Sequence, residues 1–396
     1  MSESVAPVSA AKFPSGRARL LGIVLVAVAL GAGVAVGGAT GGSEPRTTLQ
    51  PAGVAAEVAP PGSQSSSWYC TGGTGPGEPL ADATILVANA GPRRVTGTVH
   101  VVDTKGEQAV RSFAILPGTQ IEEHPGAVVR GDWLAARIDV VGGGVTASER
   151  VDGKWGTSVS PCASETSRRW YFAQGTTVAG ASLFASLFNP TASLAVVDVT
   201  FLTASGVISP APDQGIVIGP GKLVTLTVGE YVQRKREIAT IVSARSGAIA
   251  ATELQLYGVE GVTGAALVAG TPEPEGKWEL PQLLDVQGGA SDLEVLNPST
   301  RASAHVRVEV RLPTGTDAPF DEIVPPSSVW TLETSAQLRI PEGTDYSLEV
   351  TAAGTSGVVV GRMGEGTTSG PAPQWGSEVG IAAPGTGPSA ATTWVL

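Results

Sequence analysis

The side chains that could carry catalysis are few in this chain and form no recurring set. Its three histidines, His100, His124 and His305, are far apart and have no acidic partner at metal-ligand spacing. Glu149 and Glu253 stand at matching points of a repeated pattern, but glycoside hydrolysis needs a pair of carboxylates, and no second acid recurs beside them. Motifs of zinc proteases, serine hydrolases and nucleotide-binding loops are missing from the sequence. We therefore expect no enzyme activity, no metal site and no cofactor.

The two cysteines, Cys70 and Cys162, predict a disulfide. Both follow an N-terminal apolar segment, which places them on the oxidising side of a membrane. A bond between them would close a loop of about 90 residues, worth roughly 4–5 kcal/mol in the chain-entropy model. The alternative is two unpaired thiols. Because no Cys-x-x-Cys motif occurs, neither a zinc knuckle nor a thioredoxin-type site is predicted.

Two features offer candidate ligand contacts. Trp170 is an aromatic ring that could stack on a sugar, although aromatic residues make up only 5% of the chain and a core of small residues needs its large side chains. Packing is therefore the favoured interpretation of Trp170. Arg234-Lys235-Arg236 and Arg168-Arg169 are basic clusters that could hold an anionic wall polymer or a lipid headgroup. A solvated loop is the favoured interpretation of both clusters.

The elements that must position these residues repeat three times. Trp68-Tyr69-Cys70, Trp170-Tyr171-Phe172 and Trp278-Glu279-Leu280 each open a unit. About twenty residues later a short apolar strand ends in Asn, and these asparagines are 100 and 108 residues apart (189 − 89 and 297 − 189). Alternating strands then follow, separated by Gly or Pro turns about every 8–12 residues, which is typical of a β-sandwich. The sequence predicts an all-β protein with three tandem antiparallel β-sandwich (Ig-like) repeats over residues 67–165, 166–274 and 275–396.

The chain ends in Trp394-Val395-Leu396, which resembles the opening of a further unit. We expect the opening Trp strand of each unit to pack on, or complete, the preceding sandwich. The terminal tripeptide would then be the closing strand of the third sandwich.

A long apolar stretch near the N-terminus predicts the location of the protein. Residues 20–40 are uncharged, and Lys12, Arg17 and Arg19 precede them. We interpret 20–40 as one N-terminal transmembrane helix after a cytoplasmic tail over 1–19, with a flexible stalk over 41–66. A cleaved signal peptide and a buried core helix are the alternatives. The net charge of −11 argues against nucleic acid as a partner.

The second unit resembles a known family. Its Trp170-Tyr171-Phe172-Ala173-Gln174-Gly175 opening and Leu187-Phe188-Asn189-Pro190 strand resemble membrane-anchored proteins of high-GC Gram-positive bacteria that are catalogued as a domain of unknown function. The resemblance implies an envelope location and no particular activity. We therefore expect a non-catalytic structural or interaction protein of the cell envelope, such as a scaffold, spacer or adhesion module, which binds a wall polymer or another envelope protein. The alternative is a cell-wall polysaccharide-binding module.

Overall fold

The computed structural model describes residues 58–60, 62–259, 262–283, 291–341, 344–367, 373–379 and 381–382. The predicted cytoplasmic tail, transmembrane helix and terminal tripeptide lie outside these residues. The described chain is all-β, which confirms the predicted class, and its helices are four short 3-10 turns. None of the described helices is long and apolar enough to cross a membrane.

The strands fall into three sets along the chain. The first set is β1 (Ser65–Thr74), β2 (Asp82–Asn89), β3 (Val95–Asp103), β4 (Gln108–Ile115), β5 (Thr119–Glu123), β6 (Trp133–Val141), β7 (Val145–Gly153) and β8 (Gly156–Pro161). The second is β9 (Arg169–Phe172), β10 (Ala181–Asn189), β11 (Ala195–Thr203), β12 (Gly206–Ile208), β13 (Ile216–Ile218), β14 (Lys222–Thr227), β15 (Ala239–Ser246), β16 (Ala250–Val259) and β17 (Val262–Ala269). The third is β18 (Lys277–Leu283), β19 (Ser291–Asn297), β20 (Ala304–Leu312), β21 (Gly315–Thr316), β22 (Phe320–Val324), β23 (Ser328–Glu333), β24 (Tyr346–Ala353), β25 (Val359–Thr367), β26 (Pro373–Val379) and β27 (Ile381–Ala382).

Each set pairs its strands by a similar scheme into two groups, which we call the front sheet and the back sheet. In the first set the two groups form one continuous sheet, because β1 pairs in parallel with β2 at Thr74 and Asp82. The front sheets follow the orders β4-β3-β6-β1, β12-β11-β15-β9 and β21-β20-β24-β18-β27, with β13 and β22 also paired to β11 and β20. The back sheets follow β5-β2-β7-β8, β14-β10-β16-β17 and β23-β19-β25-β26. The core of the first set combines side chains of both sheets, such as Trp68 and Ile138 from the front and Ile85 and Val87 from the back. This arrangement follows from alternating sequences, because every second side chain of a strand points to the same face.

The repeated asparagines tie the two sheets together. Asn189 is fully buried, and its Nδ2 donates to the carbonyls of Ser193 at 2.7 Å and Ile218 at 2.9 Å. Its Oδ1 accepts the amide of Thr191 at 3.0 Å. Asn89 and Asn297 make the corresponding bonds at their own turns. A buried amide with all these groups satisfied fixes the turn after the strand, and this explains why Asn recurs at the same register.

The opening strands do not complete the preceding sandwich, so that prediction is wrong. β1, β9 and β18 each pair with a strand of their own set, β6, β15 and β24 respectively. The end of the opening strand instead packs on the following set: the Thr71 hydroxyl is 2.5 Å from that of Thr252, and Gln174 lies against Gly361. The physical reason is the burial of the opening Trp in its own core, which fixes the strand there.

The front sheet of each set faces the back sheet of the next, and at the first junction the β7–β8 edge of the first back sheet also packs on β16 and β17. At the first junction the rings of Trp133 and Phe184 are 4.8 Å apart, and the Trp155 ring occupies the space beside Gly258. An apolar cluster covers this junction with residues of both sets: Ala81, Val151, Leu254, Leu256, Ala265 and Leu267. At the second junction one cluster continues from Tyr171 and Leu202 into the core of the third set. There β17 and β26 also pair in parallel, which joins two back sheets edge to edge.

The two outer faces of the array carry charges where the junctions carry apolar groups. On the front sheet of the third set, Glu279 and Glu349 stand at the registers held by Tyr171 and Ile241 in the second. Lys277 pairs with both acids, and Arg311 pairs with Glu349. On the back sheet of the first set, Arg150 takes the register of Leu254 and pairs with Glu122 and Asp152. Polar outer faces are how the terminal units of repeat proteins remain soluble.

The predicted stalk ends earlier than expected. Ala59 and Gln64 make backbone hydrogen bonds to the β6–β7 turn, including Ala59 N to Val145 O at 3.0 Å and Gly142 N to Gln64 O at 2.9 Å. Composition alone suggested a flexible segment up to residue 66. The last residues of the predicted stalk are instead held by hydrogen bonds to backbone groups at the edge of the first set. Without the extended segment, these backbone groups would have no partner in the protein.

The contact between Trp155 and Gly258 gives a test of the first junction. We expect Trp155→Ala to lower the free energy of unfolding by about 1–3 kcal/mol, since the half-buried ring loses its packing across the junction. Gly258→Leu should be destabilising too, because a side chain there meets the ring. The measurement is urea denaturation of the two variants and the double variant. Additive losses would contradict a shared contact, because coupled residues are not additive.

Candidate functional sites

The three opening tryptophans are core residues. Trp68, Trp170 and Trp278 are each at most 2% exposed. The indole Nε1 of Trp170 donates to the carbonyl of Ile249, and that of Trp278 to the carbonyl of Val358, both at 2.8 Å. No face of the Trp170 ring is open to a sugar in this arrangement. The structure thus gives Trp170 the packing role and does not place it in a ligand site.

Cys70 and Cys162 form a disulfide with their Cα atoms 4.6 Å apart. Both residues are buried in the first set, and they connect β1 to the segment after β8. The neighbouring Tyr69 and Ala163 exchange two backbone hydrogen bonds, of 2.8 and 3.0 Å. The disulfide therefore closes the first set where its chain leaves for the second.

The basic cluster Arg234-Lys235-Arg236 lies at the second junction and is already engaged. The guanidinium of Arg236 is 3.5 Å from Asp292 and 3.8 Å from Glu333, both in the third set. Lys235 Nζ donates to the Ser205 hydroxyl at 3.0 Å. Lys235 therefore connects two parts of the second set, and Arg236 connects the second set to the third while its side chain stays largely exposed.

Two buried glutamates lie inside the first and second sets at equivalent registers. Glu149 stands opposite Ile85, and Glu253 opposite Ala185. Burial raises the pKa of each to about 8, although the backbone amide of Gly73 partly offsets this for Glu149 and the Thr240 hydroxyl does so for Glu253. Both groups are neutral acids in the folded chain near pH 7. Glu149 accepts the amide of Gly73 at 3.1 Å, whereas Glu253 Oε1 has no hydrogen-bond partner among the described residues. No neighbouring acid contributes to either pKa shift, so among the described residues neither glutamate forms the pair that glycoside hydrolysis needs.

A third buried acid, Glu294, lies at the second junction and was not singled out from the sequence. It is fully buried, and neither of its carboxyl oxygens has a hydrogen-bond partner among the described residues. Burial raises its pKa well above the ordinary value, the charges of Glu237 and Asp292 raise it further, and Arg236 lowers it. A carboxyl without partners is stable there only when it is protonated.

A groove of about 1110 Å³ opens at the same junction, beside the Pro298 end of β19, whereas Arg236 contacts Asp292 at the other end of that strand. Its walls are the start of β9, the linker over 272–274 and the turn over 298–301. Arg168, Arg169 and Arg301 line it together with Glu273. The structure therefore brings the second basic cluster predicted from the sequence next to an arginine of the following set.

Among the described residues no three His, Cys, Asp or Glu side chains gather closely enough to hold a metal ion. The histidines lie apart: His100 is 3.6 Å from Asp139, and His124 is 3.3 Å from the Thr84 hydroxyl. These contacts join neighbouring strands, which is a structural role.

Comparison with known proteins finds a family match in the central part of the chain. Residues 139–329 match a family of unknown function (DUF5719). The match begins in β6 and ends in β23 and covers the whole second set, which supports an uncharacterised domain family in this part of the chain. No curated protein matches the chain. The crystal structure of Thermotoga maritima 1070 is 15% identical and covers 29% of this chain and 99% of its own, with a TM-score of 0.25, which supports no inference.

The buried glutamates predict a stability that falls as pH rises. Their pKa values are near 8 in the folded chain and near 4.5 when unfolded, so unfolding releases protons between these values. Each acid should lower the free energy of unfolding by up to about 1.4 kcal/mol per pH unit in this interval. Asp152 and Asp198, whose pKa values are lowered, act in the opposite direction but only at more acidic pH.

The measurement is urea denaturation at pH 5, 6, 7 and 8. We expect the double variant Glu149→Gln, Glu253→Gln to show a flatter dependence on pH than the unmodified chain. Glu122→Gln removes an exposed acid and serves as the control. An equal slope in all three proteins would contradict the assignment.

Proposed function

We propose that the chain is a non-catalytic structural and interaction protein of the cell envelope. Residues 20–40 are its single membrane anchor, residues 1–19 are cytoplasmic, and the strand sets are extracytoplasmic copies of one immunoglobulin-like sandwich. The observation that carries this proposal is the pattern of the faces. Apolar faces join the sets at both junctions, and ion pairs cover the two outer faces. A spacer or scaffold needs such a body, which holds its parts at fixed positions and does not extend itself by further stacking.

The disulfide supports the extracytoplasmic part of the proposal. Cys70 and Cys162 are the only cysteines of the chain, and they pair. Structural disulfides persist in oxidising compartments and are rare in the cytosol. The positively charged flank of residues 20–40 supports a cytoplasmic N-terminus.

The alternative, a polysaccharide-binding module, loses one of its two supports. Stacking of an aromatic ring on a sugar needs an exposed Trp170, but the Trp170 ring is buried in the core of the second set. Its basic version gains support, because Arg168 and Arg169 line a groove. We develop this version below as a property of the envelope protein.

The test of the proposed function is the topology of the full chain in a high-GC Gram-positive host. We expect the protein to stay in the membrane pellet after carbonate extraction and a membrane-impermeant protease to digest the strand sets in intact protoplasts. In the matched control, Leu25→Arg with Leu30→Arg should release the chain from the pellet, because charges at mid-span oppose insertion. A protected, cytoplasmic chain with reduced cysteines would refute the proposal. So would hydrolysis of purified wall by the purified protein.

A further inference from the structure

Three arginine side chains line the groove at the second junction, although the chain as a whole is acidic. The chain has a net charge of −11, yet Arg168, Arg169 and Arg301 line the groove against one acid, Glu273. The guanidinium of Arg168 donates to the carbonyls of Arg245 at 3.0 Å and Ala244 at 3.5 Å, which holds it at the wall. All three arginines are exposed, and within the described chain none forms an ion pair. A groove lined by one sign of charge concentrates ligands of the opposite sign.

The first junction shows what keeps this groove open. There Arg137 donates from Nη1 to the carbonyl of Pro190 at 3.3 Å and from Nε to Asp139 at 2.8 Å, which bridges the two sets. At the second junction the corresponding registers hold Ile241 and Ser243. An isoleucine cannot make the bridge to the carbonyl of the facing turn. The space that Arg137 occupies at one junction is therefore available to a ligand at the other.

The lining suits a chain of sugar or polyol units. Hydroxyl groups of both sets line the groove, from Ser243, Ser299, Thr300 and Ser327. Its apolar floor is formed by Leu202 and Ile241 of the front sheet of the second set. Prolines 272, 274 and 298 fix the wall segments, so little ordering is needed on binding. The volume of about 1110 Å³ is above the roughly 300–1,000 Å³ of small-molecule pockets, which favours an extended ligand.

We propose that this groove binds a strand of an anionic cell-wall polymer. Its phosphate or carboxylate groups contact Arg168, Arg169 and Arg301, and its hydroxyls contact the polar lining. Planar guanidinium groups bind both kinds of anion by paired hydrogen bonds. The proposal rests on the extracytoplasmic location proposed above, because only there does the groove meet such a polymer.

A membrane surface and nucleic acid fit the groove less well than a polymer strand does. Both present wide sheets or rods of negative charge, and they select broad basic surfaces. This chain offers three arginines in a recess, while its surface as a whole is acidic. A single polymer strand can enter the recess without meeting the acidic surroundings.

The test is binding of the purified full chain, in detergent micelles, to three soluble polymers by isothermal titration calorimetry. Poly(glycerol phosphate) supplies phosphates, polygalacturonate supplies carboxylates, and dextran is the neutral control. We expect binding to at least one anionic polymer, weakened by added salt, and no binding to dextran. Binding to one of the two identifies the anionic group, and binding to both indicates recognition of charge with either group.

Two variants locate the site. Arg169→Gln with Arg301→Gln should weaken binding at least tenfold, whereas Arg93→Gln with Arg94→Gln, the same charge change on an exposed loop of the first set, should leave it within twofold. Ile241→Arg with Ser243→Asp copies the closed first junction into the second. It should abolish binding while the melting temperature stays within a few degrees, which separates loss of the site from loss of the fold.

Three results would overturn the proposal: no binding to either anionic polymer, equal losses in the groove and loop variants, or stronger binding to vesicles containing anionic lipid than to the polymers. None of them affects the topology experiment. A non-binding protein that is still anchored and extracytoplasmic would remove the groove proposal alone. A cytoplasmic protein would instead remove the proposed function.

Discussion

The packing of each front sheet on the back sheet of the next strand set is the interaction on which the rest of the structure depends. These junctions cover large side chains that an isolated sandwich would expose: Phe188 is buried, and Trp133 and Phe184 are half-buried. Only 5% of the residues are aromatic, and several of them lie between sets and not within one. Much of the apolar area that aromatic side chains bury is therefore at the junctions. The sets are therefore parts of one folded body and not separate domains on linkers.

The same packing creates every special feature of the second junction. It buries Glu294, whose carboxyl oxygens have no hydrogen-bond partner in the described part of the chain, and it brings Arg236 into ion pairs with Asp292 and Glu333. It also leaves the groove where Ile241 replaces an arginine. The second junction is thus closed on one side by the ion pairs of Arg236 and open on the other side at the groove, which arginines line. The first junction has Phe184 and Ser186 at the registers of Asp292 and Glu294, and it has Arg137 at the register of Ile241. The two junctions are therefore alike in packing and different in chemistry. Function is expected at the junction that departs from the common pattern.

Much of the architecture could be predicted from the sequence because it depends on local periodicity. The valines of Val95–Asp103 have the spacing of a strand, and this segment is β3; the repeated Trp and Asn mark the core and the turns. The disulfide followed from the cysteine count and the export segment. The last strands of the sets were missed, since β8 and β17 consist of small residues whose pairing depends on neighbours more than on alternation. Their contact is made partly by side chains, with the Leu267 and Ala269 amides donating to Ser158 and Ser160.

The candidate site was harder to predict because it forms between distant segments. Asp292 and Glu294 alternate with Leu293 and Val295, which is the pattern of a solvated strand face, yet the second set covers this face and buries Glu294. Likewise nothing local links Arg169 to Arg301. Only the register of the repeats could have shown that Ile241 and Ser243 stand where Arg137 and Asp139 close the first junction. The alternation of a sequence predicts which residues share a face of a strand, but it does not predict which part of the protein covers that face.

Native-state hydrogen exchange on the unmodified chain and on Ile138→Ala tests the central claim most directly. Ile138 is fully buried in the core of the first set, away from both junctions, so its truncation should destabilise that set by about 2–5 kcal/mol. If the junctions join the sets into one body, amides of β17 in the second set lose protection together with those of the first set. If the loss of protection is confined to residues 65–163, the sets are independent domains and the account is wrong.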